Sequence, residues 1–349
     1  MLYQTENPHG GEIYSNPAVL DFSANITPLG TPPGVKQAVE ASLPLLSQYP
    51  DPYCRDLVSA ISEFEQVPRE QILCGNGAAE LIFSLCAALK PQKALLPVPC
   101  FSEYETALKT VGCPAEYYPL PETQGFALTE DFLKALDRFD GSLLMLCNPN
   151  NPTGQVVEES LMEKILSRCA EKGIFLFVDE CFLDLTEGGH SLKGKLTRYK
   201  NLLLLKAFTK SYGMAGLRLG YCLSGNAELL ERMGRSVQAW NVSLPAQLAG
   251  IAALQEQDFL NRARDIIHTQ RPIMTEAMEH MGLTVIPSRC NFLLFHSEKE
   301  LRAPLLERGI QIRSCANYPG LGAGWYRAAV KLPEENKRLL TAMEEILHG

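Results

Sequence analysis

The chain has 349 residues, of which 46% are apolar and 21% charged, with a formal net charge of −8. That composition is ordinary for a globular protein in water, and the length suits one large α/β domain plus a smaller one. The negative balance argues against nucleic-acid binding, which needs clustered positive charge, although a few local arginines can still hold a small anion. No apolar run reaches the ~18–20 residues of a membrane span. The opening MLYQTENPHGG lacks the basic-then-apolar pattern of a signal peptide. Eleven cysteines, an odd number, are scattered without a CxxC pair or Cys/His ligand spacing. They read as small buried hydrophobes of a reducing, cytoplasmic protein with no metal site.

In chain order, residues 1–30 are rich in Pro, Gly and Asn and read as an ordered arm. From about residue 70, short apolar runs alternate with helical patterns. QILCG (71–75) precedes AAELIFSLCAALK, KALLPV (93–98) precedes SEYETALKTVG, and SLLMLCNP (142–149) precedes ESLMEKILSRCAEKG. GIFLFVDE (173–180) and NLLLLKAF (201–208) read as further buried strands. Apolar strands separated by amphipathic helices predict an α/β fold, a mostly parallel sheet with helices on both faces. After about residue 225 a long helical stretch, roughly 226–282, gives way to TVIP, NFLLFH and IQIRSC. The expected division is 31–235 for a large domain and 236–349 for a small α+β domain.

In open α/β sheets ligands sit beyond the carboxyl ends of the strands, so the segments that follow each strand carry the functional signal. GNGAAE (75–80) runs glycines into a helix start, either an anion cradle built from free backbone N–H groups or a plain strand–helix turn. Phe101 in CFSEY either stacks on a flat ring or sits in the core. NPNNPTG (148–154) forms a stiff turn with side-chain amides aimed outward. Asp179 ends an apolar strand, where a carboxylate needs a partner. A cationic ring nitrogen, a helix N-terminus or an internal ion pair would each serve. Thr209, Lys210 and Arg218 follow the next strand, in FTKSYGMAGLRLGY. Amine, carboxylate, amide, aromatic face, phosphate cradle and guanidinium together make the set used to hold pyridoxal phosphate.

The ordered series GNGAAE, NPNNPTG, VDE, TK and GLRLGY resembles the fold-type I pyridoxal-phosphate enzymes, in the histidinol-phosphate aminotransferase-like branch, over nearly the whole chain. The resemblance implies a mostly parallel sheet of seven-stranded type with a smaller α+β C-terminal domain. It implies that Lys210 forms the Schiff base, Asp179 pairs with the ring nitrogen, Asn151 bonds the ring hydroxyl and Phe101 stacks on the ring. Ala78, Ala79, Thr209 and Arg218 would hold the phosphate. Tyr49, in QYPDPY, would reach the phosphate site of a partner subunit in a homodimer with composite sites. Lys206, four residues before Lys210, is a rival amine whose distance from Arg218 does not suit the family spacing.

Three further segments resemble the threonine-phosphate decarboxylases of cobalamin biosynthesis more than the aminotransferases: HGGEI with LDFSANITPLG, IRSCANYPGL, and WYRAAV followed by PEENKRLL. That likeness implies decarboxylation of O-phosphothreonine or phosphoserine. Arg327 would take the carboxylate and Arg313 the phosphate, helped by His9 and Asn25. Arginine's fork suits both anions, though each arginine alone could equally be a surface ion pair. Position 182 is Phe where aminotransferases of this branch place a tyrosine, and position 207 is Ala where many relatives carry a hydroxyl. The alternatives are a histidinol-phosphate-type aminotransferase using 2-oxoglutarate and a non-catalytic binding protein on the same scaffold.

Overall fold

The computed structural model describes residues 9–15 and 19–349. Its strands are β1 (Leu20–Asp21), β2 (Ile72–Asn76), β3 (Ala94–Val98), β4 (Ala115–Pro119), β5 (Leu143–Cys147), β6 (Phe175–Asp179), β7 (Leu202–Ala207), β8 (Leu219–Ser224), β9 (Thr284–Val285), β10 (Phe292–His296), β11 (Ile310–Gln311), β12 (Arg313–Ser314) and β13 (Trp325–Ala329). Its helices are α1 (Pro33–Ser42), α2 (Arg55–Glu65), α3 (Gly77–Leu89), α4 (Glu103–Thr110), α5 (Asp131–Arg138), α6 (Glu159–Lys172), α7 (Phe208–Ser211), α8 (Ala227–Arg235), α9 (Leu244–Gln255), α10 (Gln257–His280), α11 (Arg302–Glu307) and α12 (Pro333–His348).

Seven strands form one sheet in the order β2-β8-β7-β6-β5-β3-β4. All neighbours are parallel except β8, which runs antiparallel to both β2 and β7. The five runs expected to be buried strands all lie in this sheet. Those of β3, β5, β6 and β7 are buried at every position, as a sheet covered on both faces requires. β4 (AEYYP) is the exception, half-exposed at the sheet's edge. Two cores flank the sheet. One packs α2, α6 and the inward faces of α9 and early α10 (Leu57, Ile165, Ala249, Ile267), and the other packs α3, α4 and α8 (Leu85, Leu108, Met233).

A second, antiparallel sheet runs β12-β13-β10-β9. Its core joins Phe295 and Val330 to Met274, Met278 and Met343. The residues of α9 and early α10, expected in the small domain, thus pack with the large sheet. The core that α10 faces changes between Ile267 and Met274. The arm is tied in by β1, which pairs in parallel with β11, and by Phe22, fully buried in the small core. Among the described residues, no helix is long and apolar enough to cross a membrane.

Candidate active site

The carboxyl ends of β3, β5, β6 and β7 open onto a cavity of about 320 Å³, closed on the far side by the arm and by Tyr318 and Arg327 of the small domain. Of the residues expected in the site, His9, Asn25, Ala78, Ala79, Phe101, Asn151, Asp179, Thr209, Lys210, Arg218 and Arg327 line this cavity. Elements far apart in sequence converge here because all the parallel strands end on the same edge.

Lys210 sits in α7, a single turn directly after β7. Burial, then the guanidinium groups of Arg327 and Arg218, lower its pKa to about 8. Asp179 is the last residue of β6 and only 6% exposed. Its Oδ2 accepts a hydrogen bond from Tyr104 Oη at 2.7 Å and its Oδ1 accepts one from the Cys181 amide at 2.9 Å. Burial still holds its carboxyl above the usual carboxylate range, with these two bonds opposing. A cation facing it would relieve that cost.

At the opposite end the chain builds a cradle. Gly77 adopts a φ of +77°, and a Cβ there would lie 2.4 Å from Arg218 Nη2. Gly220 closes the other side, where a Cβ would come within 2.5 Å of the Ala78 nitrogen. The guanidinium therefore crosses directly over the start of α3, whose first amides and dipole favour an anion. Position 207 carries no hydroxyl on this side, and Thr209 stands next to Lys210.

Arg327 is 6% exposed; its Nη1 donates to Asn151 Oδ1 and its Nη2 to the Ser23 carbonyl at 2.9 Å. Asn25, 1% exposed, turns into the cavity with neither side-chain polar atom hydrogen-bonded. Orphaned buried amides are rare and expensive, so this one marks a ligand position. His9 Nε2 pairs with Glu103 Oε1 at 3.0 Å, and its ring centroid lies 5.8 Å from that of Phe101. Phe182 stands 6.0 Å, ring centroid to Nζ, from Lys210 and packs edge-on against Phe292. An amine, a buried carboxylate, an aromatic face, a backbone anion cradle and an orphaned amide, spread over one cavity, fit pyridoxal phosphate.

Two expected residues lie elsewhere. Arg313 lines a neighbouring pocket of about 120 Å³ that shares His9, Gly10 and Ser23 with the main cavity. Its Nη2 donates to Asn317 Oδ1 at 2.7 Å. Tyr49 is 78% exposed, its ring 4.7 Å from that of Trp240 and tilted 30° to it, and does not line the cavity of its own chain. Lys206 points away into a buried acidic cluster. Tyr104 was not legible as a site residue. EYETALKT reads as an ordinary amphipathic helix, and nothing local reveals that its buried hydroxyl reaches a carboxylate 75 positions away.

Comparison with known proteins agrees with this geometry. The family model described as aminotransferase class I and II matches residues 17–343. The threonine-phosphate decarboxylase of Salmonella typhimurium is 38% identical, over 98% of this chain and 97% of its own. A histidinol-phosphate aminotransferase of Desulfitobacterium hafniense is 35% identical over 96% and 94%. The crystal structure of the histidinol-phosphate aminotransferase from Clostridium acetobutylicum superposes with a TM-score of 0.87 at 29% identity, covering 93% of this chain and 98% of that one. The chain belongs to the aminotransferase class I and II family and is a pyridoxal-phosphate-dependent enzyme with the fold-type I architecture.

Proposed function

We propose that the protein removes carbon dioxide from O-phosphothreonine, or the closely similar phosphoserine, leaving the phosphorylated amino alcohol of cobalamin biosynthesis. One observation carries the reading. Arg313 and Arg327 are register partners across β12 and β13, so their side chains leave the same face of the small sheet. Like charges placed opposite one another repel unless anions sit between them. The two guanidinium groups serve adjoining pockets, which suits a substrate carrying both a carboxylate and a phosphate. Histidinol phosphate has no carboxylate, whereas the 2-oxoglutarate of the alternative carries two, so product identification decides between the readings. The Salmonella relative's name supports the same choice, while the histidinol-phosphate aminotransferases at 35% identity and below support transamination with 2-oxoglutarate as the alternative.

In this reading Arg327, oriented by Asn151 and the Ser23 carbonyl, takes the carboxylate. Arg313 and His9 take the phosphate, and Asn25 supplies its unused amide to the substrate. Asp179 holds the proton of the cofactor's ring nitrogen, Asn151 meets the ring hydroxyl, and Phe101 covers one ring face. Ala78, Ala79, Thr209 and Arg218 hold the cofactor phosphate. Bound pyridoxal phosphate supplies an electron sink for the pair released at the α-carbon. The two arginines set which α-carbon bond stands perpendicular to the ring, a gain by orientation alone. Carbon dioxide leaves, and Lys210 in its ammonium form, made a readier proton donor by a pKa lowered to about 8, delivers the proton that replaces it. Tyr49 and Trp240, with Leu43, Leu46 and Tyr53, form exposed apolar surface that supports a homodimer, with Tyr49 entering the partner's phosphate site.

The test is a substrate panel read by mass spectrometry. O-phosphothreonine should yield carbon dioxide and aminopropanol phosphate. Glutamate from histidinol phosphate or another amino donor with 2-oxoglutarate, in the absence of carbon dioxide release, would establish the aminotransferase instead.

A further inference from the structure

We propose that Asp184 is a positioning residue that clamps the turn carrying Lys210 to the turn that follows Asp179, holding Ser211 on one carboxylate oxygen and Lys206 on the other.

The starting point is a buried charge cluster that the chemistry above leaves unused. Successive residues of a strand face opposite sides, so Ala207 lines the cofactor cavity and Lys206 points into the other layer. There Lys206 Nζ lies 3.1 Å from Glu65 Oε1, 3.3 Å from Asp184 Oδ1 and 3.9 Å from Glu180 Oε2. Glu65 also accepts from Tyr221 Oη at 2.6 Å and Lys193 Nζ at 2.9 Å. Burial alone would lower the proton affinity of Lys206, but Asp184, Glu65 and Glu180 outweigh it and hold the lysine charged. Buried ion pairs are weak stabilisers, since apolar side chains of similar volume often do as well. A fold that retains five charged groups here gains geometry more than energy.

The geometry concerns Lys210. Its helix, Phe208–Ser211, has four residues and no stiffness of its own. Ser211, fully buried, donates its hydroxyl to Asp184 Oδ2 at 3.2 Å. The Asp184 carbonyl in turn accepts from Arg264 Nη1 of α10 at 2.9 Å. Asp184 belongs to the turn that begins directly after Asp179 and also carries Phe182, whose ring lies 6.0 Å from Lys210 Nζ. One carboxylate thus ties together the segments that carry Lys210 and Asp179. It keeps Lys210 Nζ near Arg327 and Arg218, which with Asp179, Cys181 and Asp21 are the charged or titratable groups around it.

The inference rests on Lys210 as the amine that carries the cofactor, so borohydride reduction and peptide mapping come first. Attachment at another lysine would overturn that assignment and leave the clamp without a purpose. With attachment at Lys210 established, the holoenzyme's visible absorption is titrated against pH in Ser211→Ala, Asp184→Asn and Tyr221→Phe. Tyr221→Phe removes a hydrogen bond from the same cluster on the side away from Lys210. We expect Ser211→Ala and Asp184→Asn to move the midpoint upward by about half a pH unit or more, roughly threefold in proton affinity, because a looser Lys210 spends less time near the two guanidinium groups. Tyr221→Phe should lower Tm and leave the midpoint in place. If Ser211→Ala and Tyr221→Phe both lower Tm and neither moves the midpoint, the cluster is structural only and the clamp is refuted. Should Ser211→Ala not fold, Asp184→Asn decides by the same criterion.

Discussion

Replacing Lys210 with methionine should stabilise the protein once the cofactor has been stripped. Burial and the neighbouring guanidinium groups lower the lysine's pKa from 10.5 to about 8. At about 1.4 kcal/mol per pH unit, holding the charge costs the apoprotein up to about 3 kcal/mol, an upper figure because Lys210 is partly exposed to the cavity. The sign follows from proton counting. Between pH 8 and 10.5 the unfolded chain binds more protons at this residue than the native one, so wild-type stability rises across that window. The penalty is complete below pH 8 and gone above 10.5. Methionine, similar in length and without charge, escapes it. Urea unfolding of the two apoproteins, followed by circular dichroism, should show the variant more stable at pH 7 and much of its advantage lost by pH 9.5. Adding pyridoxal phosphate should reverse the order, because only the wild type can bond it covalently and gain its binding energy. A variant no more stable at pH 7, or a gain equal at both pH values, would refute the electrostatic account of Lys210.

Two further outcomes follow from the same site. Tyr104→Phe deletes the 2.7 Å bond to Asp179; losing a buried bond to a charged group costs about 2 kcal/mol, so urea unfolding of the apoprotein should show stability lower by about that amount, and an unchanged stability would refute the bond's role. Mixing inactive Lys210→Ala chains with inactive Tyr49→Ala chains should restore activity if sites are composite, since one site of each heterodimer then carries neither change; a mixture that stays inactive while exchanging subunits would place Tyr49 outside the chemistry.

The strand–helix alternation and the residues that end each strand were legible in the sequence, because parallel strands buried on both faces must be continuously apolar and ligand groups must follow them. LLMLC, FLFVD and LLLLK declare themselves in this way, and NPNNPTG and FTK follow directly. β4 was missed because an edge strand covered on one face only has no such pattern. β8 is less legible, because GLRLGY carries Arg218 and two glycines' worth of turn signal (Gly216, Gly220) around its apolar residues. α8, α9 and α10 look alike as sequence, and only packing shows which core each one faces.

What the amino-acid order determined by itself was local: strand type, helix type, glycines at a phosphate-sized turn, and which residues stand at strand ends. What tertiary structure alone decided was every pairing across distance. It set the Tyr104 hydroxyl against Asp179, turned Lys206 into a cage of carboxylates, placed Arg313 in a pocket beside that of Arg327, and left the Asn25 amide without a partner. The physical reason is that burial, hydrogen bonding and charge are properties of neighbours in space. The 3.6 and 2.0 periods of helix and strand report only which side of an element a residue faces.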